Sequence, residues 1–150
     1  MALTFVYTRA AYRLLKADSD FDTADVRVKL LMSSTTADTE TGANSISEIT
    51  TLDEFDGSGY TALDLANLSV YESESSRFAS LDAFDGTFGA TVSAGSRQIV
   101  ALLYYVRVDG TTANDYPLMY DDSPPQFPMT PDGGPINITL PATGFVKLSC

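Results

Sequence analysis

Histidine and tryptophan are absent from this chain, cysteine occurs once, and nine Lys and Arg residues stand against twenty Asp and Glu. Histidine is the commonest general acid or base near neutral pH and the commonest transition-metal ligand. Its absence therefore excludes Ser-His-Asp, Cys-His and His-metal chemistry together. The single cysteine, Cys150, is the last residue, so neither an intrachain disulfide nor a cysteine-based metal site can form. An exposed terminal thiol of no consequence is its plain reading, with an intermolecular disulfide as the other. No apolar run reaches the eighteen residues of a membrane helix, and the opening MALTFVYTRAAYRLLKAD carries charges where a signal peptide would keep an apolar stretch. A soluble protein made in a cytoplasm is expected.

The shortage of cations leaves a net charge of −11. Such a surface repels nucleic-acid backbones, whose binding needs Lys and Arg to displace condensed counterions. It disfavours anionic membranes for the same reason. No nucleic-acid and no membrane partner is expected, whereas a basic protein surface remains compatible. What cations there are lie unevenly, five of the nine falling between Arg9 and Lys29. Either they decorate an ordinary helix, whose C-terminal dipole favours them, or they form a basic docking face on an acidic body.

A length of 150 residues, 44% of them hydrophobic, suits one domain, residues 1–150, with a core large enough to need no disulfide or metal. In Thr8 to Lys16, apolar Ala11, Leu14 and Leu15 recur beside Arg9, Arg13 and Lys16, which predicts a short amphipathic helix. Asp25 to Leu30 alternates charged with apolar residues, the period of a strand with one face in water. Residues 33–45 are small and polar without periodicity, which predicts an exposed, flexible loop. Ser47 can cap a short helical turn, and Asp56-Gly57-Ser58-Gly59 then stops it.

From Tyr60 onward the chain reads as strands separated by turns. Tyr60 to Leu65, Leu68 to Tyr71, Arg77 to Leu81, Pro117 to Asp121, Pro135 to Leu140 and Gly144 to Leu148 are short. Arg97 to Val108 is long and almost continuously apolar, as a central strand covered on both faces would be. Ser123-Pro124-Pro125-Gln126-Phe127-Pro128 reads as an extended connection. The pattern predicts an all-β fold, an antiparallel two-sheet β-sandwich of about eight strands with one short N-terminal helix.

Constellations with chemical potential have plainer readings beside them. Asp18-Ser19-Asp20-Phe21-Asp22 imitates the start of a calcium loop, but Thr23 stands where the sharp turn needs Gly and Lys29 where a bidentate Glu is required. A calcium site of another kind using Asp22 and Asp25 stays open. Asp53/Glu54 and Asp82/Asp85 are carboxylate pairs of the sort a glycosidase uses, and nearly any acidic domain offers them. Tyr104 and Tyr105, adjacent on a strand, point to opposite faces and cannot form one stacking platform. Asn137-Ile138-Thr139 fits a glycosylation acceptor by pattern alone. No cofactor, no metal and no enzymatic activity are expected.

The order of segments is specific where single motifs are not. Ile46 to Ile49 leading into Leu52 to Tyr60, then Arg77 to Ala83, Gly95 to Tyr104 and Thr130 to Ile138, span about two-thirds of the chain, and the helix and strand before them are in register too. In that order they resemble a family of small structural proteins from tailed bacteriophages and prophages. The resemblance implies a non-enzymatic virion component, a capsid decoration or cement protein on the outer shell. It implies the major capsid protein and neighbouring copies of itself as partners, in a homo-oligomer on the virion. Arg9, Arg13 and Lys16, with Pro124, Pro125 and Phe127 of the long connection, are the expected contact residues. A neck or tail component, or a carbohydrate-binding or receptor-binding sandwich, is the alternative; the latter needs an exposed row of aromatics on one sheet face.

Overall fold

The computed structural model describes residues 3–16, 20–21, 23–89, 91–95 and 97–149. Cys150 and the Asp18 and Asp22 of the calcium-like segment lie outside them. The fold is all-β and antiparallel, with one short helix near the N-terminus. A five-stranded sheet runs in the order β1 (Thr4–Val6), β8 (Tyr116–Asp121), β7 (Ile99–Arg107), β2 (Asp25–Met32), β3 (Leu63–Asp64). A three-stranded sheet holds β10 (Val146–Ser149), β5 (Phe78–Asp82) and β4 (Ser69–Ser73), and β6 (Gly86–Phe88) pairs with β9 (Ile136–Ile138). The helix, α1, spans Thr8–Lys16.

The central strand is the one its apolarity predicts. β7 sits in the middle of the large sheet, and from Ala101 to Val106 every residue is buried. Val28 and Leu63 lie in register with each other, as do Val28 and Tyr104, so these three share one face. On that face Tyr104 stacks on Phe145, just before β10, and Leu63 meets Gly86 of β6. Both small sheets therefore cover the same side, and the second layer of the sandwich is divided between them. On the opposite side Phe5, Tyr120 and Leu103 lie in register. The chain between β2 and β3 closes over that side, adding Ala37, Ala43, Ile46 and Ile49 to the core.

Several local expectations change. Residues 33–45 form a succession of hydrogen-bonded turns instead of a plain exposed loop. Thr36 N–H donates to Thr51 O at 2.9 Å, Tyr7 OH to Ala37 O at 2.7 Å, and Glu40 accepts from the Thr50 amide at 2.8 Å. The polar side chains that suggest solvent are here hydrogen-bonded, partly to one another and partly to Thr50 and Thr51, while the two buried alanines face inward. The second face of β2 meets water only in part, at Asp25 and Arg27. Lys29 is only 14% exposed in its side chain, because Glu54 lies beside it at 2.7 Å, and its ammonium lies 5.1 Å from the centre of the Tyr105 ring. Residues 123–128 make a turn, Phe127 N–H donating to Pro124 O at 2.9 Å, instead of running extended. Pro117 is the second residue of β8, at a point where the strand is an edge. It sits at a register shift and beyond the end of β1, so its missing N–H interrupts no ladder.

The hairpin joining β7 to β8 is organised by a buried carboxylate. Asp115 Oδ1 accepts from the amides of Val108, Asp109 and Gly110 at 2.8, 3.3 and 3.2 Å. Its own carbonyl accepts from Ile46 N–H, tying the hairpin to the β2–β3 segment. Asp115→Ala is expected to lower stability by about 2–3 kcal/mol, since three amides lose one charged acceptor. Asp115→Asn, whose amide oxygen can still accept, should recover more than half of that in urea unfolding.

Candidate interaction surface

The expected contact residues separate into two places. Arg9, Arg13 and Lys16 lie together on α1, whose C-terminal half packs beside the start of β8 at Tyr116. Pro124, Pro125 and Phe127 lie in the turn beyond the opposite end of β8, where Phe127 packs against the core. The structure does not bring them onto one continuous face.

Nor are the three cations equivalent. Arg13 turns inward, its guanidinium 4.2 Å from the centre of the Tyr116 ring, in the range where the ring quadrupole attracts a cation. Arg9 and Lys16 flank exposed Tyr12 at 5.4 and 5.2 Å. Nε of Arg9 and of Arg13 are buried and find no hydrogen-bond acceptor among the described residues. The apolar face also differs from the expected one. Ala10 is the buried residue of α1, Leu14 is half-buried, and Leu15 is 88% exposed. The buried side of α1 is therefore centred on Ala10 and Leu14, and Leu15, about 100° further round, falls outside it.

Leu14 opens onto an apolar groove of about 60 Å³ between α1 and the three-stranded sheet. Val70, Leu81 and Val146 form a register row across its floor, and Phe21, Leu118 and Leu148 close its sides. β4 is an edge strand, and its Val70 is 55% exposed at the rim while Leu148 of the other edge is 46% exposed. The exposed apolar side chains Val70 and Leu148 thus border one concavity. The exposure of Val70 was not read from the sequence because Ser69-Val70-Tyr71-Glu72-Ser73 has no apolar alternation. That lack of alternation is itself the mark of an edge strand wet on both sides.

The outer face of the same sheet carries Tyr71 and Phe78, with ring centres 6.1 Å apart and planes tilted by 54°. Lys147 Nζ covers Phe78 at 3.9 Å. Two tilted rings, one capped by an ammonium, do not make the flat aromatic row that a sugar-binding face requires.

The acidic pairs are engaged in holding loops. Asp53 takes a two-pronged contact from Arg97, which with the Ser34 amide keeps its carboxyl below the usual range although burial opposes this. Glu54 instead joins Lys29 and Tyr60. Asp82 accepts from the Ala83 amide at 2.9 Å, and Asp85 from the Leu140 amide at 2.8 Å. Asp25 is drawn below its ordinary value: burial raises it, and hydrogen bonds from Arg27 and Arg107 outweigh that. Among the described residues no group of three potential ligands is placed to hold a metal ion. Tyr104 and Tyr105 face opposite sides of β7, and Asn137 Oδ1 accepts from Thr87 across the β6–β9 pair.

No protein-family model, curated protein or solved structure matches this chain.

Proposed function

We propose that this protein is a non-enzymatic structural component of a tailed-bacteriophage virion, a capsid decoration or cement protein that binds the outer shell and stabilises the head. The order of segments from Ile46 to Ile138 supports this reading by resemblance. The observation that carries it is α1, which has three cations, no acid and an exposed leucine in a chain of net charge −11. Such a face suits an acidic protein surface, and its contacts are individually weak. A shell presents the same site many times, so weak contacts add through avidity when copies also touch one another. The major capsid protein and neighbouring copies are the proposed partners, and the exterior of the virion is the proposed location.

Arg9 and Lys16 are the cations to reverse, because Arg13 lies against Tyr116 and its loss would disturb packing. Arg9→Glu with Lys16→Glu should reduce co-sedimentation with purified capsids by about tenfold, measured well below the variant's unfolding midpoint so that the loss reflects contact and not folding. Undiminished co-sedimentation would remove α1 from the contact. Enrichment with tails instead of heads would move the protein to the neck or tail.

A further inference from the structure

We propose that Asp132 and Gly133 form a site of spontaneous backbone modification, where aspartate converts to isoaspartate through a cyclic imide, and that the fold holds back the other Asp-Gly pairs of the chain. The proposal stands apart from the virion reading, since it needs only this protein and water.

The reaction is internal to the chain. The Gly133 amide nitrogen attacks Cγ of the protonated Asp132 carboxyl, a bond from nitrogen to Cγ forms, and the amide proton leaves with the carboxyl OH as water. A second water then opens the ring. Breaking the new bond returns aspartate, whereas breaking the bond from that nitrogen to the Asp132 main-chain carbonyl carbon leaves the chain running through Cγ as isoaspartate. No atom is gained or lost overall. The step needs an amide nitrogen with no other engagement, a carboxyl folded over it, and room for the peptide to turn. Glycine after the aspartate favours it, having no side chain beside the nitrogen.

Asp-Gly occurs at Asp56, Asp85, Asp109 and Asp132. The last meets all three needs. Asp132 Oδ1 accepts from the Gly134 N–H at 3.0 Å, which folds the carboxyl back over the intervening peptide and closes a ring containing both Cγ and the Gly133 nitrogen. The same N–H is placed to stabilise the negative charge that grows on Oδ1 during attack. Gly133 N–H has no acceptor among the described residues. Gly133 is exposed, at φ +98°, with open space where a Cβ would stand. On either side the turn is pinned, Pro131 O accepting from the Gly95 amide at 3.1 Å and Gly134 O from the Val92 amide at 3.3 Å.

Asp109 supplies the sharpest contrast. Its Oδ1 folds back onto the Thr111 N–H at 2.8 Å in the same manner, but Gly110 N–H donates to buried Asp115 at 3.2 Å, so the nitrogen is taken. Asp85 is held by the Leu140 amide at 2.8 Å, and Gly86 lies in β6 with the Leu63 side chain against it. Asp56 has an uncommitted carboxylate among the described residues, but the space beside Gly57 is filled by the buried Phe55 ring and the Ser93 hydroxyl. A peptide there turns only by displacing core.

Peptide mapping by mass spectrometry, with fragmentation that separates isoaspartate from aspartate, tests this on the full folded chain kept for weeks in warm, mildly acidic buffer. Isoaspartate should accumulate at residue 132 at least about tenfold faster than at 85 or 109, because opening even one hydrogen bond to a carboxylate costs about that factor. It should also lead residue 56. In urea that unfolds the chain the four rates should converge, since the sequence around the reacting bond is then all that distinguishes them. Asp132→Asn reports the same ring by a second route, ammonia leaving in place of water, and should lose its amide at least as fast folded as in urea. Equal isoaspartate at 132 and at any of the other three in the folded chain, a ranking unchanged by urea, or an Asp132→Asn chain that keeps its amide while folded overturns the proposal.

Discussion

Replacing Tyr104 by alanine is expected to lower the stability of this protein by about 3–5 kcal/mol. Tyr104 is almost wholly buried at the middle of β7, and its ring stacks on Phe145 with centres 4.9 Å apart and planes 15° from parallel. The ring is where the large sheet and the β10 end of the second layer meet. Removing it opens a void between the two layers that close-packed surroundings fill only in part. A domain of this length loses roughly 2–4 °C of Tm per kcal/mol, which places the expected fall near 10 °C or more. Tyr104→Phe separates ring from hydroxyl: because the ring carries the packing, that variant should stay within about 1 kcal/mol of wild type. A loss below about 1.5 kcal/mol for alanine, read from urea unfolding, would mean that the two layers do not depend on this contact.

The second large effect is expected at Glu54. Its carboxylate joins Lys29 at 2.7 Å and accepts from Tyr60 OH at 2.9 Å, and the Tyr60 oxygen in turn accepts from the Leu30 amide at 3.1 Å. Burial, followed by the nearby Glu54 charge, pushes the Tyr60 hydroxyl well above its ordinary value, so it remains a hydrogen-bond donor throughout the physiological range. Glu54→Ala leaves the Lys29 ammonium, 14% exposed, without its counter-charge and should lower stability by about 2–4 kcal/mol. The loss reflects an abandoned charge more than the worth of the pair. Lys29→Met combined with Glu54→Leu, which removes both charges and keeps volume, should therefore recover most of it. An ordinary surface ion pair would give less than about 1 kcal/mol for the single variant and no recovery in the double.

Much of the scaffold was legible because local chemistry and tertiary role agree there. β7 is apolar on both faces and lies at the centre of the large sheet, and Thr8 to Lys16 is helical with cations toward its C-terminal end. Where sequence reading diverged, a distant partner supplied what the local pattern lacked. Lys29 alternates as a solvent-facing residue does, yet Glu54, twenty-five residues away, shields it. The polar stretch 33–45 reads as loose loop, yet Tyr7, Thr50 and Thr51 supply its hydrogen bonds. The division of the second layer into two small sheets was not legible, because strands of three to five residues carry too little periodicity to say which neighbours they take.

The candidate surface was legible only in part. The cations of α1 stand out in an acidic chain, but their separate fates do not, since Tyr116 captures Arg13 from a position more than a hundred residues later. Leu15 passes for core in a short helical pattern, where one residue of rotation decides between inside and outside. The groove depends on Leu14, Val70, Leu81 and Val146 coming together from four elements, and no sequence window contains it.

Whether the protein occupies a virion is the point on which the functional account turns, and cryo-electron microscopy of purified virions from the strain encoding it tests this most directly. The account predicts added β-rich density at repeated positions on the capsid exterior, with α1 against the shell, and its loss from virions made without this gene. Virions whose heads, necks and tails are unchanged in density and in protein content by deletion of the gene would contradict it.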